Sequence, residues 1–410
     1  MSRPSPAFVR FVEKHTGRIP DATGRLRFVR NAMAAYSPVP KFFERAFGYL
    51  SFHARYQLVG DPPHSLRLRR IHWRSAFALT TVLLSFLVPQ ASLTGKARGL
   101  PARTWARKPF VISETPAPKV WRVEDRGTSE LYSNGLRIEN SFRTSHRPRN
   151  FRALSGPNLA WSGAMSQPAG IVYHTTESQM APFDPGHNDS LKRYGVGVLG
   201  YVQERKLYHF LIDRFGRVYR VVEESDVADH AGHSIWADKR WVYINLNLSF
   251  LGVSFEAQTQ PDQAAYLATP AQILAAKLLT QMLRDRYSIP AANCVTHAQV
   301  SVNPVNFSIG YHTDWATSFP FREIGLNDQY EQPLPSITLF GFDYDDYFVN
   351  SIGGRRWPGL THAEQQLEFD AAGRNMAVAD YRAWLHQRYR SRLSALTTSA
   401  TNEEKTKHES

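Results

Sequence analysis

Three residues set the chemical question in this chain. His174 ends the apolar run Gly170–His174, His297 ends Asn293–His297, and Asp314 follows 17 residues later, within Gly310–Trp315. Two imidazoles and a carboxylate are what a catalytic Zn2+ takes from a protein, with water in the fourth position. Such a set does not fully neutralise the ion, so the bound water stays acidic and can become hydroxide near neutral pH. His312, two residues before Asp314, is a rival third ligand. The spacing alone does not separate a metal site from hydrogen-bonded structural histidines at strand ends, because the ligands are far apart in sequence. Cys294, the single cysteine, sits three residues before His297 and reads as a small buried strand residue. It excludes an intrachain disulfide framework and a cysteine-rich zinc module.

A sheet has to bring these groups together. Residues 165–325 read as an α/β domain. Gly170–His174 is an apolar strand. Lys206–Asp213 and Val218–Val222 alternate around Arg214–Arg217, with Gly216 placed for a tight turn, and predict a hairpin. Leu251–Glu256 is a further strand and Asn293–His297 a short one. Thr269–Tyr287 predicts a helix with Thr269 as N-cap and Pro270 as first residue. Its expected inner stripe and edges are Ile273, Leu274, Lys277, Leu278, Gln281 and Met282.

The order of the motifs says more than any one of them. Ile171–Glu177 (IVYHTTE), Tyr208–Arg220 (YHFLIDRFGRVYR), Val227–His233 (VADHAGH), Gly252–Glu256 (GVSFE), Val295–His297 (VTH) and Thr313–Asp314 occur in sequence. This series resembles the zinc-dependent N-acetylmuramoyl-L-alanine amidases of the type-2 amidase family, which also contains peptidoglycan recognition proteins. The resemblance covers roughly residues 165–325. It implies a mixed β-sheet flanked by helices, with a Zn2+ ion in a groove and peptidoglycan or a muropeptide as substrate. The implied reaction is hydrolysis of the amide between N-acetylmuramic acid and L-alanine. His174, His297 and Asp314 match the metal ligands, and the family pattern favours Asp314 over His312. Tyr208 matches a tyrosine that can hydrogen-bond the metal-bound water or the oxyanion, and Glu256 matches a general base. His312 stands where many members have an oxyanion-stabilising lysine. His230 matches a groove histidine that contacts substrate, with His233 and Trp236 expected along the same groove. His209, on the other side of its strand from Tyr208, reads as structural. The His297–Asp314 interval is longer than is usual in the family. The alternative of another class is a peptidoglycan-binding module on the same fold without catalysis. Retention of Glu256 and all three ligands favours the enzyme.

The rest of the chain is organised by charge. Of 410 residues, 49 are Lys or Arg and 36 Asp or Glu, a net charge of +13. Residues 1–110 hold 19 of the basic residues and 4 of the acidic ones, so the remainder is close to neutral. That distribution argues against a nucleic-acid binder, which needs a basic face on the folded domain. Ser75–Leu93 carries no charge and follows Arg67, Arg69, Arg70 and Arg74. The expectation is one transmembrane helix or signal anchor over residues 75–93. It would tether a periplasmic or extracytoplasmic catalytic domain, with a cytoplasmic facing left open. The expected organisation is a basic region over 1–74, the membrane helix, a linker over 94–160 and the amidase-like domain over 161–328. A helical extension over 329–396 and a disordered tail over 397–410 complete it.

Overall fold

In the computed structural model the described residues are 118–156, 158–258 and 268–408, all in the unit Ile112–Ser410. Strands β1 (Arg122–Asp125), β2 (Ser129–Tyr132) and β3 (Arg137–Glu139) come first, then β4 (Leu154–Ser155), β5 (Ala160–Trp161) and β6 (Gly170–Thr175). Helix α1 (Asn188–Arg205) leads to β7 (Phe210–Ile212), β8 (Val218–Arg220), β9 (Ile235–Ala237) and β10 (Trp241–Ile244). The short α2 (Leu246–Ser249), β11 (Phe250–Phe255), α3 (Pro270–Tyr287), β12 (Cys294–Thr296) and the short α4 (His297–Val300) follow. A hairpin of β13 (Val302–Asn303) and β14 (Ser308–Ile309) precedes helices α5 (Pro335–Phe340), α6 (Asp346–Ser351), α7 (Pro358–Gly373) and α8 (Val378–His408).

The main sheet has the order β1-β2-β3-β8-β7-β11-β6-β12. Apolar runs without alternation make strands buried on both faces, and β6 and β11 are buried along their whole length. They pair in parallel, as do β12 with β6 and β11 with β7, while β7 and β8 are antiparallel. The sheet is therefore mixed, and helices flank it, as the family pattern implies. A second sheet has the order β5-β4-β10-β9.

Helix α3 starts as its sequence dictates. Thr269 accepts from the Gln272 amide at 3.2 Å, the Gln272 side chain closes a capping box, and Pro270 is the first helical residue. The buried face differs from the expected stripe. It runs through Gln272, Ala275, Ala276, Leu279, Met282 and Leu283, while Leu274 is 58% exposed. The two alanines let the helix approach the sheet closely. The Gln272 amide donates to the Ile212 and Glu256 carbonyls at 3.0 and 3.2 Å, bonds that demand burial of a polar residue.

Three expectations need correction. The membrane-spanning helix is not borne out: among the described residues no helix is long and apolar enough to cross a membrane, and residues 75–93 lie outside them. The longest helix, α8, carries charged residues throughout. The linker over 94–160 gives way from Arg122 onward to strands of the sheets. Buried charge fixes that segment. Arg220 on β8 donates to Glu130 on β2 at 2.9 and 3.0 Å and to Glu224 at 2.9 Å. Burial pushes Glu130 up, but Arg220 more than offsets this and brings it to about 2. Arg149, 3% exposed, donates to the Glu224, Leu248 and Asp226 carbonyls at 3.2, 2.7 and 2.8 Å. The tail over 397–410 was expected to be disordered, yet α8 runs unbroken from Val378 through His408.

Candidate metal centre

The sheet's pleat puts the first ligand where it is. Along β6, Val172 and His174 point to the face opposite Ile171 and Tyr173, whose side chains join the main core beneath α3. His174 pairs in register with Ser254 of the parallel β11. On the other side of β6, β12 ends at Thr296, which caps α4, so His297 becomes the first residue of that short helix. Asp314 arrives from the loop after β14, and its carbonyl accepts from the Ala298 amide at 3.3 Å. The three side chains converge. His174 Nδ1 lies 3.1 Å from Asp314 Oδ2, and His297 Nδ1 lies 2.9 Å from Asp314 Oδ1. One candidate ligand atom from each residue lies within 4.8 Å of the others, and all three residues are buried.

Hydrogen bonds fix which nitrogen carries each proton. The Phe250 carbonyl can only accept, so His230 Nε2, 3.2 Å away, must donate to it. Burial and the neighbouring His174 hold His230 well below the ordinary histidine range, so its other nitrogen is a bare acceptor. That atom, Nδ1, lies 3.1 Å from His174 Nε2 and accepts its proton. His174 is thereby left with a lone pair on Nδ1. His297 Nε2 lies 3.3 Å from the Ala231 carbonyl, to which it can donate. Both Nδ1 atoms face the Asp314 carboxylate. Two imidazole nitrogens and a carboxylate gather in this way around a cation or a proton. The donor set therefore fits a metal ion.

Burial, with His297 nearby, lowers His174 to about 4. Burial pushes Asp314 up, yet His297 and His174 more than offset it and hold its carboxyl well below the ordinary range.

Residues 164–314 match the family model for N-acetylmuramoyl-L-alanine amidase. This domain belongs to the type-2 amidase family. No curated protein matches the chain. The amidase domain is similar to LysC, an N-acetylmuramoyl-L-alanine amidase from Clostridium intestinale URNW, at 21% identity over 46% of this chain and 93% of that one, with a TM-score of 0.26. It is also similar to AmpDH3 from Pseudomonas aeruginosa, at 20% identity over 45% and 80% of the two chains and a TM-score of 0.30. AmiD from E. coli, solved with anhydro-N-acetylmuramic acid-L-Ala-D-gamma-Glu-L-Lys, is 21% identical over 42% of this chain and 64% of its own, with a TM-score of 0.28.

The other predicted residues of the amidase domain fall into two groups. Tyr208 and His312 adjoin the ligands. The Tyr208 ring lies 5.1 Å from that of His174, and burial together with the Asp314 charge raises its phenol well above the usual range. The His312 ring stacks on His297 at 4.6 Å, its backbone amide donates to Ser301 Oγ at 2.9 Å, and the converging carboxylate is that of Asp314. Glu256 lies two residues past Ser254 and so shares the His174 face. Its carboxylate accepts from the Arg214 amide at 3.2 Å, and burial raises it to about 7.

His230 and Trp236 do not line a groove. Both ring nitrogens of His230 are engaged by His174 and the Phe250 carbonyl, which leaves none for a substrate. Trp236 is fully buried and donates to the Ala292 carbonyl at 3.1 Å, whereas His233 is exposed. His209 is engaged by hydrogen bonds within the fold. Its Nδ1 accepts from the Gly252 amide at 2.9 Å, and burial and Arg149 hold it neutral. Two residues escaped the sequence reading. Asn247 Oδ1 accepts from the amides of His230, Ala231 and Gly232 at 2.9, 2.5 and 3.2 Å, shaping the loop that carries His230 and the Ala231 carbonyl. Gly252 makes room for His230, since a Cβ there would stand 2.6 Å from the imidazole. A glycine inside an apolar strand was the available signal.

Proposed function

We propose that this chain hydrolyses the amide between N-acetylmuramic acid and L-alanine in peptidoglycan or its muropeptide fragments, using zinc held by His174, His297 and Asp314. The observation that carries the reading is the convergence of two histidine Nδ1 atoms on one buried carboxylate. The family of residues 164–314 supports the bond cleaved. Zinc bound there would supply Lewis acidity, lowering the pKa of a water and polarising a carbonyl.

The side chains supply the rest. Glu256, brought to about 7 by burial, takes a proton from the attacking water near neutral pH and returns it to the leaving amine. Tyr208 keeps its phenolic proton and donates to the oxygen that gains charge. His312, stacked beside His297, is a second donor to that oxygen. His230 acts through His174 by holding its proton on Nε2.

The test is digestion of purified muropeptides by the full chain, with and without prior chelation, followed by mass analysis. The expected product is a stem peptide with a free L-alanine amine, formed only with zinc restored. One bound zinc per chain with no peptide released would favour the binding-module reading. Absence of stoichiometric zinc would remove the ligand assignment.

A further inference from the structure

The interval between the second and third ligands is long, and its course is unusual. It forms the β13–β14 hairpin, whose tip residue Val305 is 88% exposed. Such a loop is a poor platform for a metal ligand, which needs fixed geometry. Here the hairpin is tied down by the C-terminal helices. Phe307, at the base of the tip, adopts a left-handed backbone with φ of 55° and yet is 5% exposed. Its ring stacks on His386 of α8 at 3.9 Å between centroids, with Tyr389 edge-on at 6.0 Å. The Arg390 guanidinium lies 4.7 Å from the same ring. His386 is itself fixed by the Gly341 carbonyl at 2.8 Å. The backbone joins in: Ile309 N donates to the Asp343 carbonyl and Asp343 N to the Phe307 carbonyl, both at 2.8 Å.

The clamp continues up to the ligand and past it. Gly310 lies against Phe348 of α6, so closely that a Cβ would stand 2.0 Å from the ring. Beyond Asp314, Trp357 Nε1 donates to the Ala316 carbonyl at 3.1 Å. Trp315 then returns to the first ligand, its Nε1 donating to the His174 carbonyl at 3.0 Å. Residues 307–316 are therefore gripped on both flanks of Asp314 by side chains that lie beyond residue 340.

We infer that the C-terminal helices are a positioning element of the metal centre, holding Asp314 through Phe307, Phe348 and Trp357. The inference rests on the metal reading above. Phe307 and Trp357 touch no ligand atom, so they are positioning residues.

The test measures zinc affinity of the full chain by competition with a chromophoric chelator, well below the unfolding temperature. Trp357→Phe keeps an aromatic ring, though a smaller one, and deletes the indole donor; Phe307→Ala deletes the stack. Each is expected to weaken zinc binding about 10-fold or more, the range seen for outer partners of metal ligands. Leu367→Ala, a fully buried α7 position, is the control: it lowers the melting temperature with zinc affinity unchanged. If Phe307→Ala and Trp357→Phe lower only the melting temperature, as the control does, the positioning role is refuted while the metal site stands. If the wild-type chain itself fails to bind zinc, the metal reading falls and takes this role with it.

Discussion

His230 Nδ1 lies 3.1 Å from His174 Nε2, and the carbonyl of Phe250 lies 3.2 Å from the far side of the His230 ring. One backbone carbonyl thus sets two tautomers in series and leaves the His174 Nδ1 lone pair free. Outer partners of metal-bound histidines fix ring orientation and basicity in this way.

Replacing His230 should therefore weaken the metal site without touching a ligand. His230→Ala is expected to cost about 10–100-fold in zinc affinity. His230→Asn places an amide oxygen near the position of Nδ1 and should recover part of that loss. Isothermal titration with zinc would distinguish the two. Equal affinity in wild type and His230→Ala would return His230 to a purely packing role.

Glu256 gives the pH dependence. Burial raises its carboxyl to about 7, so the base form appears as pH rises through that value. Hydrolysis at subsaturating substrate should climb through about pH 7. Glu256→Gln should lose at least ~10^2-fold in kcat while keeping its zinc. The stability effect runs the other way. A carboxyl raised on folding contributes stability that is fully present below its unfolded value and is lost as pH rises through the folded one. Glu256→Gln should thus gain stability relative to wild type above pH 7. Denaturant midpoints at pH 5 and pH 8 would show the sign, and an unchanged difference between them would contradict it.

Arg149 tests the segment that the sequence presented as a linker. Its guanidinium is buried, burial lowers it to about 10, and backbone carbonyls are its principal acceptors. Arg149→Met removes the donors and leaves those carbonyls without them. The expected loss is about 2–4 kcal/mol, from several buried acceptors at about 1–3 kcal/mol each with partial relaxation. Urea unfolding measures it directly. A loss below about 1 kcal/mol would mean that this segment only rests on the sheet.

Much of this site is legible in the sequence. His174 and His297 stand where apolar strands run out, and strand ends present side chains at a sheet's rim. Thr269 and Pro270 announce α3, because capping is local chemistry. What escaped is non-local. Arg122–Glu139 reads as polar and irregular, since its strands are short, sit at one end of the sheet and join it through β8, with side-chain partners in β8 and α3. The buried face of α3 was misread because two alanines, small rather than strongly apolar, mark the close approach to the sheet. His230 followed the groove pattern of the family, while its actual partner sits 56 residues away.

Tyr208 offers the sharpest separation of binding from chemistry. Its ring lies 5.1 Å from that of His174, and burial with the Asp314 charge keeps its phenol protonated far into the alkaline range. A phenol held in that form is a donor at every working pH. A donor to a developing oxyanion is worth about 10^2–10^3 in kcat. Tyr208→Phe should therefore cost that much in turnover of muropeptide while zinc affinity stays at the wild-type value. His312→Ala removes the second donor, and because the two would serve one oxygen, their effects should fall short of additive. Steady-state rates for the two single variants and the double variant, each with its zinc content measured, decide the matter. Full turnover in Tyr208→Phe would leave His312 to stabilise the oxyanion alone.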